Sequence, residues 1–209
     1  MRRVILAAIA GTVLLTGCLN SKNLPDGYRV TPTLQNGTAS PGLWRTLGSV
    51  TPPNIYGIAS CGWLRTSALL PPGTDVLTSP DVIAHEWDGP TGPQYVEIKP
   101  TDIGFYTQGC FPWWQDGGPF SRPLATPGQP FGPGEFKVGD EVAPGTYHVE
   151  GQLNGRNPCI FQRLSGWSGE PSDVIQDFWG WGLSTVTIEA TDIGVRSNNC
   201  GTFTPVASP

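Results

Sequence analysis

FKVGDEVAPGTY, residues 136–147, begins a series of short blocks that ends at Cys200. The later blocks of the series are CIFQR (159–163), DVI (173–175) and TDIG (191–194). Matching blocks occur earlier in the same order: PDGYRV (25–30), SPGLW (40–44), CGWLR (61–65), DVI (81–83), TDIG (101–104) and Cys110. Several blocks repeated in one order indicate that a single structural unit occurs twice.

Gly and Pro, which favour turns, make up almost a quarter of the chain. The 209 residues include 28 Gly and 22 Pro, which interrupt helices, and the 8 Trp, 8 Phe and 5 Tyr argue against disorder. The pattern Pro-Gly-x-aromatic, at 41–44 and 144–147, predicts a tight turn that leads into a strand, with Gly at positive φ. We therefore expect an all-β fold of two tandem small antiparallel domains, sandwich or barrel-like, each with one disulfide.

The two copies set the expected domain bounds. The first β-repeat domain is predicted at 25–114 and the second at 133–206, with a short tail at 207–209. Residues 115–132 are rich in Gly and Pro, which is typical of a linker without regular structure.

The first eighteen residues predict export. Arg2-Arg3 precede an apolar run that is shorter than the roughly 20 residues a membrane-spanning helix needs, which favours a signal peptide at 1–17. Leu15-Thr16-Gly17-Cys18 resembles the lipobox of bacterial lipoproteins, which implies a diacylglycerol on Cys18 and an acylated N-terminus, palmitate for example. Residues 18–24 then form a tether, and the protein is expected on the extracytoplasmic side of the cell membrane. An ordinary secretory signal remains the alternative.

The other four of the five cysteines fall two in each copy. Of their three possible pairings, only Cys61–Cys110 with Cys159–Cys200 keeps each bridge inside one repeat, and an exported chain permits disulfides. No two of these cysteines have the close spacing of zinc ligands, and the acids are not clustered as in a calcium loop. We expect no metal and no cofactor.

Recurring charged residues predict structure rather than catalysis. Asp102 and Asp192 lie in the repeated TDIG block, and Arg65 and Arg163 also recur, so each Asp is expected to pair with the Arg of its own copy. His85 has no nucleophile motif near it, and no catalytic residue is predicted. The formal charge of −5 without a basic stripe disfavours nucleic acid as a partner.

The tryptophans are the best candidates for a binding surface. Trp87 and Trp179 recur at matching places, so they are expected in the two cores. Trp113, Trp114 and Trp181 do not recur and are candidate binding residues, since exposed aromatic rings are common in recognition of proteins and glycans.

Gly139 to Tyr147 follows the pattern Gly-Asp-x-x-x-Pro-Gly-Thr-Tyr, and with the Cys-x-aromatic-x-Arg, TDIG and final Cys blocks it resembles repeat domains in exported lipoproteins of actinobacteria and their phages. The first copy departs from the pattern at Leu43-Trp44, where the second has Thr-Tyr. The resemblance implies an envelope setting without a defined activity.

Three functions fit these observations. The first is a membrane-anchored, non-enzymatic lipoprotein that binds an envelope protein or glycan and, if phage-encoded, modifies the host envelope to exclude a second phage. The second is a cell-envelope hydrolase that uses Asp102 or Asp192 with His85. The third is a structural envelope component.

Overall fold

A computed structural model describes residues 31–32, 40–50, 61–71, 73–76, 78–86, 89–117, 122–151, 157–182 and 184–206. The predicted signal peptide, Cys18, the tether and Trp87 lie outside these residues. Within them the regular structure is β-strand apart from one 3₁₀ turn at Pro171–Asp173, which confirms the predicted all-β class. The described part of the chain has no helix long and apolar enough to cross a membrane.

The described residues of the first repeat form two antiparallel sheets. Its strands are β1 (Thr31–Pro32), β2 (Gly42–Thr46), β3 (Gly62–Thr66), β4 (Val82–Glu86), β5 (Gln94–Ile98), β6 (Gly104–Gln108) and β7 (Trp114–Gln115). One sheet has the order β1-β6-β3-β4 and the other β5-β2-β7. The predicted block 25–30 lies outside the described residues, and Thr31–Pro32 is the segment that pairs with β6.

The second repeat has the same topology. Its strands are β8 (Gly134–Lys137), β9 (Gly145–Val149), β10 (Cys159–Leu164), β11 (Val174–Gly180), β12 (Thr185–Ile188), β13 (Gly194–Asn198) and β14 (Phe203–Pro205). The orders β11-β10-β13-β8 and β12-β9-β14 reproduce those of the first repeat strand for strand.

Each repeat closes around its own aromatic core. Members of the first core include Trp44, Trp63, Val96, Ile98, Phe105 and Trp113. Members of the second include Phe131, Phe136, Tyr147, Phe161, Val186 and Phe203. Phe131 belongs to the predicted linker, yet it stacks on Phe203 at 4.8 Å between ring centroids. The end of the linker segment therefore contributes to the second core.

Two disulfides join neighbouring strands within the repeats. Cys61–Cys110 links the ends of β3 and β6 across 49 residues of chain, and Cys159–Cys200 links β10 and β13 across 41. On a chain-entropy basis each bridge stabilises its repeat by roughly 4 kcal/mol. The pairing within each repeat is the one that the positions of the cysteines predict.

The Pro-Gly turns have the same geometry in both copies. Gly42 and Gly145 have φ of 141° and 146°, as the turn prediction requires. Trp44 Nε1 donates to the carbonyl of Ser40 at 2.9 Å, and the Tyr147 hydroxyl donates to the carbonyl four residues before it at 2.7 Å. The Leu43-Trp44 departure in the first copy therefore preserves the turn, because indole and phenol donate to the same relative position.

Candidate binding site

Both recurring aspartates are held by the arginine of their own repeat. Asp102 accepts hydrogen bonds from Arg65 Nε at 2.7 Å and Nη2 at 3.0 Å. Asp192 accepts the same two bonds from Arg163, each at 2.8 Å. Each carboxylate also accepts the backbone N–H three residues before it, at 2.8 Å, which closes the TDIG turn.

This geometry opposes the hydrolase hypothesis. The Asp102 and Asp192 side chains are 1% and 0% exposed, so neither carboxylate reaches a substrate. His85 is exposed on β4, opposite Leu64 of β3. The two aspartates therefore have a structural role, as partners of the strand arginines. That the protein is not an enzyme stays a prediction.

The arginines differ in their third contact. Arg65 Nη1 donates to the carbonyl of Ser168, in the second repeat, at 2.5 Å. Arg163 Nη1 donates instead to Gln176 Oε1 on the neighbouring strand of its own sheet, at 3.0 Å. One copy of the arginine therefore joins the repeats, whereas the other stays within its own.

Tyr95 of β5 is the centre of the contact between the repeats. Its ring packs against Trp167 with centroids 4.9 Å apart, and its backbone N–H donates to Glu135 Oε2 at 2.5 Å. Its hydroxyl donates to Glu141 Oε1 at 2.9 Å. Burial raises the pKa of Tyr95, so the hydroxyl stays protonated and keeps this bond.

Charged groups surround this apolar centre. Arg196 of β13 binds Glu135 of β8 at 2.6 Å and Glu86 of β4 at 2.8 Å. Burial raises the pKa of Glu135, and the Arg196 guanidinium opposes that rise. Lys99 Nζ donates to Glu170 Oε1 at 2.6 Å, and this bond lowers the pKa of Glu170. The repeats are thus joined by a buried polar interface rather than by the linker alone.

A cleft of about 390 Å³ opens beside this interface. Its walls come from β4 of the first repeat and from the turn before β11, and its floor is the outer face of the second repeat's larger sheet. Polar residues that line it include His85, Glu86, Gln162, Asp173, Asp177 and Arg196.

The floor is built from rows of cross-strand neighbours. Gln162 of β10 lies opposite both Asp177 of β11 and Arg196 of β13, so these three side chains form the row in the cleft. The next row outward contains Trp179 of β11 and Ile160 of β10. Because side chains alternate along a strand, Trp179 is on the same face as Asp177, about 7 Å further along.

Trp179 is 70% exposed, so its predicted place in the core is wrong. Its neighbour Phe178 faces the core instead, with its ring 6.2 Å from that of Phe161. Two adjacent residues of a strand point to opposite faces, and only one of them can be buried in this core. Trp181 directly follows β11 and is 55% exposed, as expected of a binding candidate.

The other two candidate tryptophans are buried or partly buried. Trp113 is 9% exposed, packs edge-on against Phe105 with centroids 5.4 Å apart and donates to Thr107 at 3.1 Å. Its proposed binding role is wrong, because it fills the first core. Trp114 is partly buried under the Arg45 guanidinium, which lies 5.6 Å from its ring centroid.

Among the described residues, no group of His, Cys, Asp and Glu side chains has the arrangement of a metal site. The cleft itself was missed from the sequence, because its walls come from segments that are distant in the chain. The feature of the sequence that could have indicated a binding surface is the pair Asp177 and Trp179, which lie two residues apart and therefore share one face of β11.

Both repeats match a known protein family. Residues 33–114 and 127–204 each match the family model described as the Rv1352-like extracellular domain. The chain belongs to this family. It carries two Rv1352-like extracellular domains in tandem, which makes it a secreted or envelope protein, and the segment between the matches lies inside the predicted linker. Searches of curated proteins and of solved structures found no match.

Proposed function

We propose that this protein is a lipid-anchored envelope lipoprotein that acts as a non-enzymatic binding module. The observation that carries the proposal is the exposure of Trp179, at 70%, in the row next to a cleft between the repeats. Exposed aromatic residues beside a concave polar site are typical of recognition surfaces. A purely structural component has no need of such a surface.

Attachment through Cys18 is the part of the proposal that follows from the lipobox-like leader. Mass spectrometry of the membrane-extracted protein should detect an N-terminal diacylglyceryl-cysteine at residue 18. A Cys18→Ala variant should leave the membrane fraction. Recovery of a mature N-terminus at any other residue would contradict the anchor without affecting the binding role.

Binding can be tested with the chain from Leu19 to Pro209, which contains every described residue. We expect it to sediment with isolated cell envelopes, and Trp179→Ala and Trp181→Ala should weaken this association. Phe111→Ala is the matched control, since Phe111 is 42% exposed in the first repeat and does not line the cleft. Equal loss in all three variants, or no sedimentation of the parent chain, would contradict the proposal.

Exclusion of a second phage by this protein can be tested separately. If the chain is phage-encoded, producing it in a susceptible host should lower adsorption or DNA entry of a second phage. The Trp179→Ala variant should restore plaque formation. Normal plaque formation on cells that display the unaltered protein would remove this version and leave the binding module.

A further inference from the structure

We propose that the cleft and Trp179 together bind an uncharged saccharide, with one sugar ring stacked on the indole and its hydroxyl groups bonded to Asp177 and Gln162. This inference rests on the proposed binding function and names the chemical class of its ligand. The cleft volume of about 390 Å³ lies within the range of sites for small organic ligands, about 300–1,000 Å³.

The hydrogen-bonding capacity of the floor favours such a ligand. Within the described part of the chain, the side chains of Gln162 and Asp177 have no hydrogen-bonding partner, although they lie side by side on neighbouring strands. A carboxylate accepts hydrogen bonds, and an amide both donates and accepts. Sugar hydroxyl groups can serve both, because each hydroxyl is a donor and an acceptor.

The next row supplies the apolar half of the site. Trp179 presents its indole to solvent, and Ile160 lies opposite it on β10. A sugar ring has an apolar C–H face as well as hydroxyl groups at its rim, so it can cover an aromatic ring while its hydroxyls reach the polar row. An aromatic residue next to a polar row about 7 Å away matches this two-sided chemistry.

Charge argues against an anionic ligand. Arg196, the guanidinium in the cleft, already binds Glu86 and Glu135. Asp173 and Asp177 add negative charge along the same wall and floor. Among the described residues that line the cleft, Arg196 is the one Arg or Lys, and it already binds two carboxylates. An acidic ligand would therefore meet Asp173 and Asp177, so we expect an uncharged saccharide to be preferred.

The cleft requires both repeats. His85 of β4 and Asp177 of β11 occupy equivalent places, opposite Leu64 and Gln162 respectively, and both line the cleft. The outermost strands of the two larger sheets therefore border one site. A single repeat would lack one wall, which gives the tandem arrangement a functional reason.

Two assays separate this inference from the general binding role. Titration calorimetry of the Leu19–Pro209 chain should detect binding of uncharged oligosaccharides of glucose, mannose or N-acetylglucosamine, but not of hyaluronate. Sedimentation with envelopes should fall after periodate oxidation of their glycans and persist after protease digestion. Trp179→Ala and Asp177→Ala should each weaken binding at least about tenfold, whereas Phe111→Ala should not.

The two assays distinguish a glycan ligand from a protein partner. Periodate-sensitive envelope binding that needs Trp179 supports the inference, whichever purified sugar binds. Envelope binding that survives periodate and is lost after protease digestion overturns it in favour of a protein partner, and leaves the binding module intact. Hyaluronate binding as tight as that of the uncharged sugars overturns the charge argument and the inference. Thermal unfolding of each variant excludes loss of fold as the cause.

Discussion

Replacing Asp102 with Ala should destabilise the first repeat strongly. The guanidinium of Arg65, which is 0% exposed, then loses the two hydrogen bonds that it donates to the Asp102 carboxylate. The change also leaves the Lys99 N–H without its acceptor. Removing one partner of a buried ion pair costs about 3–5 kcal/mol, mainly because the remaining charge loses its compensation. Arg65 keeps the Ser168 carbonyl and Glu170 Oε1, which lies 3.6 Å from Nη1 on a side chain that is 32% exposed, so its charge would be compensated only in part.

The matching change in the second repeat should cost less. Asp192→Ala removes equivalent bonds, but Arg163 is 14% exposed whereas Arg65 is 0% exposed, so water compensates the Arg163 charge in part. Each arginine keeps its third bond, Arg65 to the Ser168 carbonyl and Arg163 to Gln176. Asp140 is an exposed control in a turn, and its replacement by Ala should alter stability by no more than about 0.5 kcal/mol. The expected order of destabilisation is therefore Asp102→Ala, then Asp192→Ala, then Asp140→Ala.

Urea unfolding of the Leu19–Pro209 chain, followed by tryptophan fluorescence, measures these differences. With a denaturant slope of about 2 kcal/mol/M, a loss of 3–5 kcal/mol lowers the midpoint of the first repeat by about 1.5–2.5 M. The double variant Arg65→Met/Asp102→Ala should recover part of the loss, since it removes the buried charge. It should remain below the parent, because the Ser168 carbonyl loses its donor.

Two results would refute this reasoning. If Asp102→Ala cost no more than Asp140→Ala, the buried pair would contribute nothing to stability. The single variant Arg65→Met completes the comparison. If the double variant lost as much stability as Asp102→Ala and Arg65→Met added together, the loss would not come from the buried charge.

Three further predictions concern the interface and the turns. Gly169→Ala should lower the unfolding midpoint, because φ is 73° and the added Cβ would lie 2.2 Å from the buried Trp63 ring; a Gly128→Ala control, at φ of 75° in open space, separates strain from collision. Tyr147→Phe should cost about 1 kcal/mol in urea unfolding through loss of its bond to a backbone carbonyl, and an unchanged midpoint would contradict this. The pKa of Glu170 is lowered in the folded state, so its contribution to stability is present above its ordinary pKa of 4.5 and is lost as pH falls through the folded value; Glu170→Gln should therefore lose less stability on acidification than the parent.

The sequence predicted the framework of each repeat because that framework is local and recurs. The TDIG turn, the Pro-Gly turn and the two cysteines appear twice, and each uses bonds between residues that the two copies share. Asp192 illustrates this, since it accepts hydrogen bonds from Arg163 and from the Glu189 N–H. Asp102 accepts the same bonds from the matching residues of the first repeat, Arg65 and Lys99.

Burial of particular side chains was harder to predict. Recurrence of Trp179 with Trp87 predicts a place in the core, but Trp179 is 70% exposed, so recurrence alone does not indicate burial. Glu135 and Glu141 are 0% and 1% exposed, although acids in a chain of this composition are expected at the surface. Each also has a partner in its own repeat, Arg196 for Glu135 and the Lys137 N–H for Glu141. The partners that come from the other repeat, the N–H and hydroxyl of Tyr95, have no pattern that links them to these acids in sequence.

Differences between the copies carry the information that their similarities lack. Tyr95 and Thr185 occupy equivalent places, opposite Arg45 on β2 and His148 on β9, yet Tyr95 is fully buried by the second repeat while Thr185 is exposed. A large aromatic residue at a position that is solvent-exposed in the other copy requires a cover that its own repeat does not supply. Because the cleft opens beside that cover, a change that separates the repeats should weaken ligand binding as well as stability, even when it touches no residue of the cleft.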